Sequence, residues 1–168
     1  MSWDTYVHQI QNKFDPATNA WAVTNVSSFA AVYGHDGAAW ATSEGFQLAS
    51  YQFDMPQEDG STAPVPCHEH AALMKACDGD RKGGQACGIR ICNQKYMMIR
   101  NSDAHDGKIK FATLSGPGGG ACVAKTAQAL LVGVWKKESA MSNAKQQNSG
   151  DCEGCVINVA KSLVDAGM

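Results

Sequence analysis

No apolar run in this chain approaches the roughly 20 residues that a bilayer-spanning helix needs. The N-terminus also lacks the basic-then-apolar layout of a secretory signal, so the expectation is a cytosolic protein. Net charge is nearly absent: 14 Lys and Arg stand against 16 Asp and Glu, giving −2. That balance argues against nucleic acid as a partner while leaving local basic patches open. Catalytic signatures are missing too. Gly116-Pro-Gly-Gly-Gly120 lacks the Gly-Lys-Ser/Thr ending of a phosphate loop and precedes a strand rather than a helix. Ser, His and Asp all occur, yet no nucleophile elbow organises them. The sequence shows no internal repeat. The expectation is a protein without catalytic residues or a cofactor.

What is present is an ordinary core-forming chain. Its 168 residues are 44% hydrophobic and 18% charged, which fits one domain with a sizeable interior. Seven cysteines, at 67, 77, 87, 92, 122, 152 and 155, read as reduced thiols in a cytosolic setting rather than as a disulfide framework.

Trp3, Val7, Ile10 and Phe14 share one helical stripe, so a first helix is expected to about Lys13, with Ser2 as N-cap and Asp15-Pro16 as its stop. Tyr6 lies one turn beyond Trp3, at the stripe's edge. A polar connector then reaches Asn25. Val26–Tyr33 and Ala38–Thr42 flank the turn Gly34-His-Asp-Gly37 and read as a hairpin. Residues 43–66, with Gly45, Pro56, Gly60, Pro64 and Pro66, read as an insertion or long surface loop holding a short extended piece near Ala49–Phe53.

Cys67–Cys77 reads as a helix with a stripe at His70, Leu73, Met74 and Cys77, stopped by Asp78-Gly79. A meander follows: Ala86–Cys92, Lys95–Arg100, Lys108–Leu114, Ala121–Ala124 and Ala129–Trp135. Tyr96–Ile99 and Leu130–Trp135 are apolar without alternation, which predicts strands covered on both faces. Residues 136–150 are polar and read as a mobile loop. A final helix over about Glu153–Ala166 carries Val156, Val159, Ala160, Leu163 and Val164. The order gives an α+β class, one antiparallel sheet with the terminal helices together on one face.

Two side-chain groupings stand out. Cys152-Glu-Gly-Cys155 opens a helix, where one thiol of such a pair can be acidified, and Cys67, His68 and His70 could complete a tetrahedral zinc site. This thiol or metal sensor is the rival reading. It needs a second ligand pair close in space, and Cys67-His68 lies on another helix about 85 residues away. The other grouping is a basic rim: Lys95 and Arg100 bracket a strand and Lys108 and Lys110 occupy the next. Met97 and Ile99 share the face of Lys95 by the period of two.

Several stretches together carry a family resemblance. Met1-Ser-Trp-Asp-Thr-Tyr-Val7 is similar to the start of profilins, Ser-Trp-x-x-Tyr-Val. Ala30-Ala-Val-Tyr-Gly-His-Asp-Gly-Ala-Ala-Trp-Ala-Thr-Ser43 resembles the plant-type hairpin. Gly88–Arg100 resembles the central hairpin of the family, Gly118–Val134 its last two strands, and Val156–Met168 its terminal helix. The long stretches at 43–66 and 136–150 are similar to the enlarged loops of protist profilins.

The resemblance implies a profilin-like antiparallel sheet of about six to seven strands, with the terminal helices on one face and a further helix on the other. It implies a groove for proline-rich segments built from Trp3, Tyr6 and Trp40, with Ser162, Leu163 and Met168 opposite. Polyproline II is already extended, so flat rings grip it at little entropic cost. Vertebrate members have a His where Ser162 stands and a terminal Tyr where Met168 stands, so a weaker groove is implied. A separate actin face would use Lys95, Met97, Ile99, Arg100, Gly150, Gly154, Ile157 and Asn158, and Lys108 reverses the charge of a Glu in animal forms. The implied partners are monomeric actin, formin-like proline-rich proteins and phosphatidylinositol bisphosphate. The implied role is control of actin polymerisation and nucleotide exchange; a profilin-fold adaptor without actin binding is the alternative.

Overall fold

Leu130-Leu-Val-Gly-Val134 is apolar without alternation because the strand that carries it, β11 (Ala129–Lys136), is covered on both faces. The computed structural model describes residues 2–168, and β11 lies near the centre of a seven-stranded antiparallel sheet. β3 (Phe29–Gly34) and β4 (Ala39–Thr42) lie on one side of it. On the other follow β10 (Gly119–Lys125), β9 (Ile109–Gly116), β8 (Gln94–Ala104) and β7 (Ile89–Ile91). The sheet order is β4-β3-β11-β10-β9-β8-β7.

Helices α1 (Trp3–Gln11) and α3 (Ser149–Asp165) cover one face. Val7, Ile10, Cys152, Val156, Val159, Ala160 and Leu163 pack there against Ala30, Val32, Cys122, Ala124 and Leu131. Helix α2 (Glu69–Cys77) covers the other, where Leu73, Ala76 and Cys77 meet Ala31, Tyr33, Val123, Leu130 and Val132. Each large aliphatic side chain so buried contributes about 1.5–3 kcal/mol. Gly133 lets the helical layer approach. A Cβ there would stand 2.8 Å from Val156 Cγ2, 3.1 Å from Cys152 Sγ and 3.3 Å from Ile10 Cγ2.

The structure corrects several sequence expectations. Helix α1 ends at Gln11 rather than Lys13, so Phe14 leaves the helical stripe and is exposed rather than buried in the core. The expected polar connector contains a small hairpin, β1 (Lys13–Asp15) with β2 (Ala20–Ala22), pairing Phe14 with Trp21. Asp15 closes its turn, accepting from Ala17 N at 2.9 Å and Thr18 Oγ1 at 3.1 Å. Asn12 clamps its base: Oδ1 accepts from Thr24 N at 2.7 Å and Asn25 N at 3.2 Å. Ser2 occupies the N-cap position of α1 without a side-chain cap bond.

The stretch 43–66 is not a loop with one short strand. It largely forms a second hairpin, β5 (Ser50–Pro56) with β6 (Thr62–His68), in register from Ser50–His68 to Pro56–Thr62. Tyr96–Ile99 alternates after all: Tyr96 and Met98 are buried, whereas Met97 is 68% and Ile99 61% exposed. Helix α3 covers β9 and β10 and stops short of β8, leaving these two side chains uncovered. The polar stretch 136–150 is pinned rather than loose. Buried Gln147 accepts from Ser28 Oγ at 2.9 Å and Lys136 N at 3.0 Å, and donates to Asn25 O at 2.9 Å. Met141 from the same stretch packs with Val26 and Cys155. Asn148 then caps α3, accepting from Asp151 N at 2.9 Å.

Candidate functional site

Trp3 enters α1 at its first turn, and its ring lies 4.5 Å from that of Trp40 and 5.3 Å from that of Tyr6, centroid to centroid. The rings tilt by 39° and 42°, within the range where aromatic pairs attract beyond simple burial. Gly34 makes this possible. Trp40 lies over its backbone, and a Cβ there would stand 3.0 Å from indole Nε1 and Cζ2. All three rings are half-buried, each with one side on the core and the rest available.

The opposite wall is the end of α3. Because α1 and α3 run antiparallel, the start of α1 faces the end of α3, and Met168 packs half-buried in the same cluster as the rings. Met168 N donates to Leu163 O at 2.9 Å and its carbonyl accepts from Gln128 N at 3.1 Å, which fixes the terminus. Ser162 is exposed, with Oγ donating to Val159 O at 2.8 Å. Leu163 is fully buried, so it supports the wall from beneath and cannot touch a ligand.

The second predicted surface gathers at the other end of α3. Met97 and Ile99 stand exposed on β8, and the ladder with β9 slips between Met98 and Arg100, which leaves Ile99 as the extra residue. Arg100 pairs with Glu153 of α3 and its guanidinium lies 5.3 Å from the centre of the Phe111 ring. Glu153 also accepts from Thr113 Oγ1 at 3.1 Å. Gly150, Gly154 and Asn158 are exposed on α3, and Ile157 is half-buried between them and the core. Lys95 is exposed beside Met97, where both border a cavity of about 360 Å³ with Arg81 and Lys82. All eight residues expected for this face therefore lie on β8 or on α3 between Gly150 and Asn158.

The rest of the expected basic rim does not belong there. Lys108 sits in the β8–β9 turn and borders a cavity of about 380 Å³ with Lys110, Lys125, Val164 and Met168, at the far end of α3. Lys110 and Lys125 both pair with Asp78, at 3.6 and 2.6 Å. That contact holds the Asp78 carboxyl below the usual carboxylate range.

The thiol reading loses its chemistry on inspection of the pair. Burial pushes Cys152 up to about 12 and Cys155 up to about 11, the reverse of an acidified nucleophile. Cys155 donates to Asn12 O at 3.6 Å and Cys152 receives Ser27 Oγ at 3.3 Å. Cys67 and His68 end β6 and His70 lies in the first turn of α2, the helix on the opposite face of the sheet. His68 Nδ1 lies 3.0 Å from Ser50 Oγ, and His70 donates from Nε2 to Gly34 O at 2.9 Å. Among the described residues no group of three or more His, Cys, Asp or Glu is placed to hold a metal.

Sequence reasoning missed Glu69. Fully buried at the start of α2, it accepts from Ala49 N at 3.1 Å and Cys92 N at 2.9 Å through Oε1. Oε2 accepts from Asn93 N at 2.8 Å and the Tyr51 hydroxyl at 2.6 Å. One carboxylate thus ties the β5–β6 hairpin to the β7–β8 turn, where Cys92 and Asn93 both adopt positive φ. A lone acid between two histidines at a helix start was the available signal.

A seven-stranded antiparallel sheet between a pair of terminal helices and a third helix, with aromatic and apolar-basic surfaces, defines a small α+β binding module. The family model for profilin matches residues 1–168, and the chain belongs to the profilin family, whose members regulate actin. It is 33% identical over 135 residues to a profilin of Tetrahymena pyriformis, spanning 79% of this chain and 82% of that one. Among solved structures it is similar to Acanthamoeba castellanii profilin II, at 24% identity and a TM-score of 0.61, covering 99% of this chain and all of that one. Mouse profilin IIa, solved in complex with a double repeat from the FH1 domain of mDia1, superposes with a TM-score of 0.54 at 18% identity, both chains being fully covered.

Proposed function

We propose that this profilin binds monomeric actin through β8 and α3 between Gly150 and Asn158, and proline-rich segments through the aromatic groove at the opposite end of α3. The observation that carries the reading is the separation of two unlike surfaces along one antiparallel helix pair. At one end stand Trp3, Tyr6, Trp40, Ser162 and Met168, with Leu163 beneath. At the other stand Lys95, Met97, Ile99 and Arg100 beside Gly150, Gly154, Ile157 and Asn158. Three tilted rings suit the flat faces of prolines, and the solved complex of mouse profilin IIa with a formin repeat supports a ligand of that kind. Exposed Met and Ile framed by Lys and Arg suit a protein partner.

On this reading the chain is a cytoplasmic, non-catalytic regulator of the actin cytoskeleton. It sequesters actin monomers, speeds their nucleotide exchange by favouring an open cleft, and delivers them to formin-like elongation factors. The lysines at 108, 110 and 125, grouped around one cavity, offer a site for the anionic headgroup of phosphatidylinositol bisphosphate.

The test separates the surfaces. Trp3→Ala should abolish binding to a proline-rich peptide and leave pyrene-actin assembly kinetics as for the wild type; Arg100→Glu should do the reverse. If both variants lose both activities, or neither loses any, the two-surface reading fails.

A further inference from the structure

Among the described residues the exposed large hydrophobic side chains are Phe14, Trp21, Val23, Met97 and Ile99. Met97 and Ile99 belong to the surface already assigned to actin. The other three sit on and just after the β1–β2 hairpin, where Phe14 and Trp21 pack edge to face with centroids 5.7 Å apart. They are 46%, 37% and 64% exposed, in the order Phe14, Trp21, Val23.

The two patches flank the same half-helix. On one side of α3, Glu153 is tied to Arg100 of β8. On the other, Asp151 is tied to Lys13 of β1 at 2.5 Å. Phe14, Trp21 and Lys13 border an open cavity of about 330 Å³ whose other wall is Gly150, Asp151, Gly154 and Asn158. Gly154 keeps this passage low: it carries no side chain, and the space a Cβ would take there is open to 4 Å. A single partner lying across α3 therefore meets apolar side chains on both flanks.

We infer that the Phe14–Trp21 hairpin is a second limb of the actin-binding surface, so that an actin monomer straddles the first half of α3. The inference rests on the proposed actin face and extends it in one direction, toward the end of α1. Continuity through Gly150, Gly154 and Asn158 argues for one occupant of both patches rather than two. Aromatic side chains set beside such a low passage are the kind of anchor that dominates interface energetics. The hairpin is exposed on its outer face and held from within by Asn12, so truncating its rings leaves the clamp intact.

The experiment measures the affinity of the full chain for monomeric actin, with Phe14→Ala/Trp21→Ala beside Arg100→Glu and the wild type. The expected result is a loss of about tenfold or more for the hairpin variant, with proline-peptide binding unchanged. Hydrogen exchange on the wild-type protein supplies an independent readout, and amides of residues 14–23 should slow when actin is added. Wild-type affinity in the hairpin variant, or unchanged exchange at 14–23, overturns the inference while a loss in Arg100→Glu leaves the actin face standing. If the wild type binds no actin, the underlying reading fails instead. If the hairpin variant abolishes a concentration-dependent dimer and keeps its actin affinity, the patch serves a second copy of this chain and the inference is overturned.

Discussion

Glu69→Gln is the sharpest test of what ties the β5–β6 hairpin to the β7–β8 turn. The substitution keeps the volume and exchanges one acceptor oxygen for an amide that can only donate. If the remaining oxygen stays at Oε1, it still accepts from Ala49 N and Cys92 N. The amide then faces Asn93 N–H and the Tyr51 hydroxyl. Tyr51 can turn its proton away and accept, but Asn93 N–H confronts another donor. Two hydrogen bonds to a charged group, each worth about 1.5–3 kcal/mol, are replaced by one neutral bond of about 1 kcal/mol. Removing the buried charge offsets part of the loss, which sets the expected destabilisation at about 2–3 kcal/mol. For a domain of this size that lowers the Tm by about 4–12 °C. Circular dichroism melts of wild type and Glu69→Gln measure it directly, with Tyr51→Phe as a control that removes one bond and leaves Asn93 N–H paired. A melting point for Glu69→Gln within about 2 °C of wild type would refute the view that this carboxylate is a structural pin.

Gly34→Ala should push the Trp40 indole off its seat, because the new Cβ would stand 3.0 Å from the ring and 2.8 Å from Asp36 Oδ1. Losing part of the Trp3–Trp40 contact, about 0.5–1.5 kcal/mol, should weaken proline-peptide binding by roughly two- to tenfold while actin binding holds, read by tryptophan fluorescence titration. A thiol reagent at neutral pH should modify Cys92 first, since the other six cysteines are buried, and slowly, since burial also raises the Cys92 thiol. Cys152 and Cys155 should react only on unfolding. Asp78 and Asp151 have carboxyls held low by their lysine partners, Lys125 and Lys13. Their contribution is fully present above about pH 4, the unfolded value, and is lost as pH falls through their lower folded values. Lys125→Met should therefore flatten the loss of urea stability as pH falls below about 4.

The main sheet and its helices were legible because their signals are local. Val26–Tyr33 and Ala38–Thr42 flank a turn whose chemistry is visible, and the stripe Val156, Val159, Ala160, Leu163 fixes the face of α3. The aromatic cluster was legible only in part. Trp3 and Tyr6 share a helix edge, whereas the approach of Trp40 depends on the bare backbone of Gly34, which no periodicity announces. Phe14 was misplaced because it continues the helical spacing after the helix has ended. Asn12 diverts the chain by capturing two backbone amides from residues 24 and 25, a long-range bond invisible to pattern. The Ser50–His68 hairpin was hidden by Pro56, Pro64 and Pro66, which argue against strand in isolation. They are tolerated because β5 and β6 form a two-stranded ribbon with outer edges that need no partner. Lys95, Met97 and Ile99 stood out by the period of two on one strand, with Arg100 at its end, but that pattern names no partner. Ser162 and Met168 were placed by resemblance, since neither lies on a periodic stripe.

Helix α3 sets how independent the two proposed surfaces are. Its 17 residues span about 25 Å at 1.5 Å per residue, several times the ~8 Å screening length at physiological salt. A charge change at Arg100 or Glu153 is therefore not felt electrostatically at Met168. Any coupling has to be mechanical, through a helix whose buried side rests on Gly133 without room to shift: 2.8 Å to Val156 and 3.1 Å to Cys152 for even one added carbon. A rigid helix so seated transmits a tilt but resists a local bend. Actin and a proline-rich segment should consequently bind at the same time with nearly additive free energies. Such additivity is what a carrier needs, because a monomer must remain bound while the groove exchanges one proline-rich segment for another.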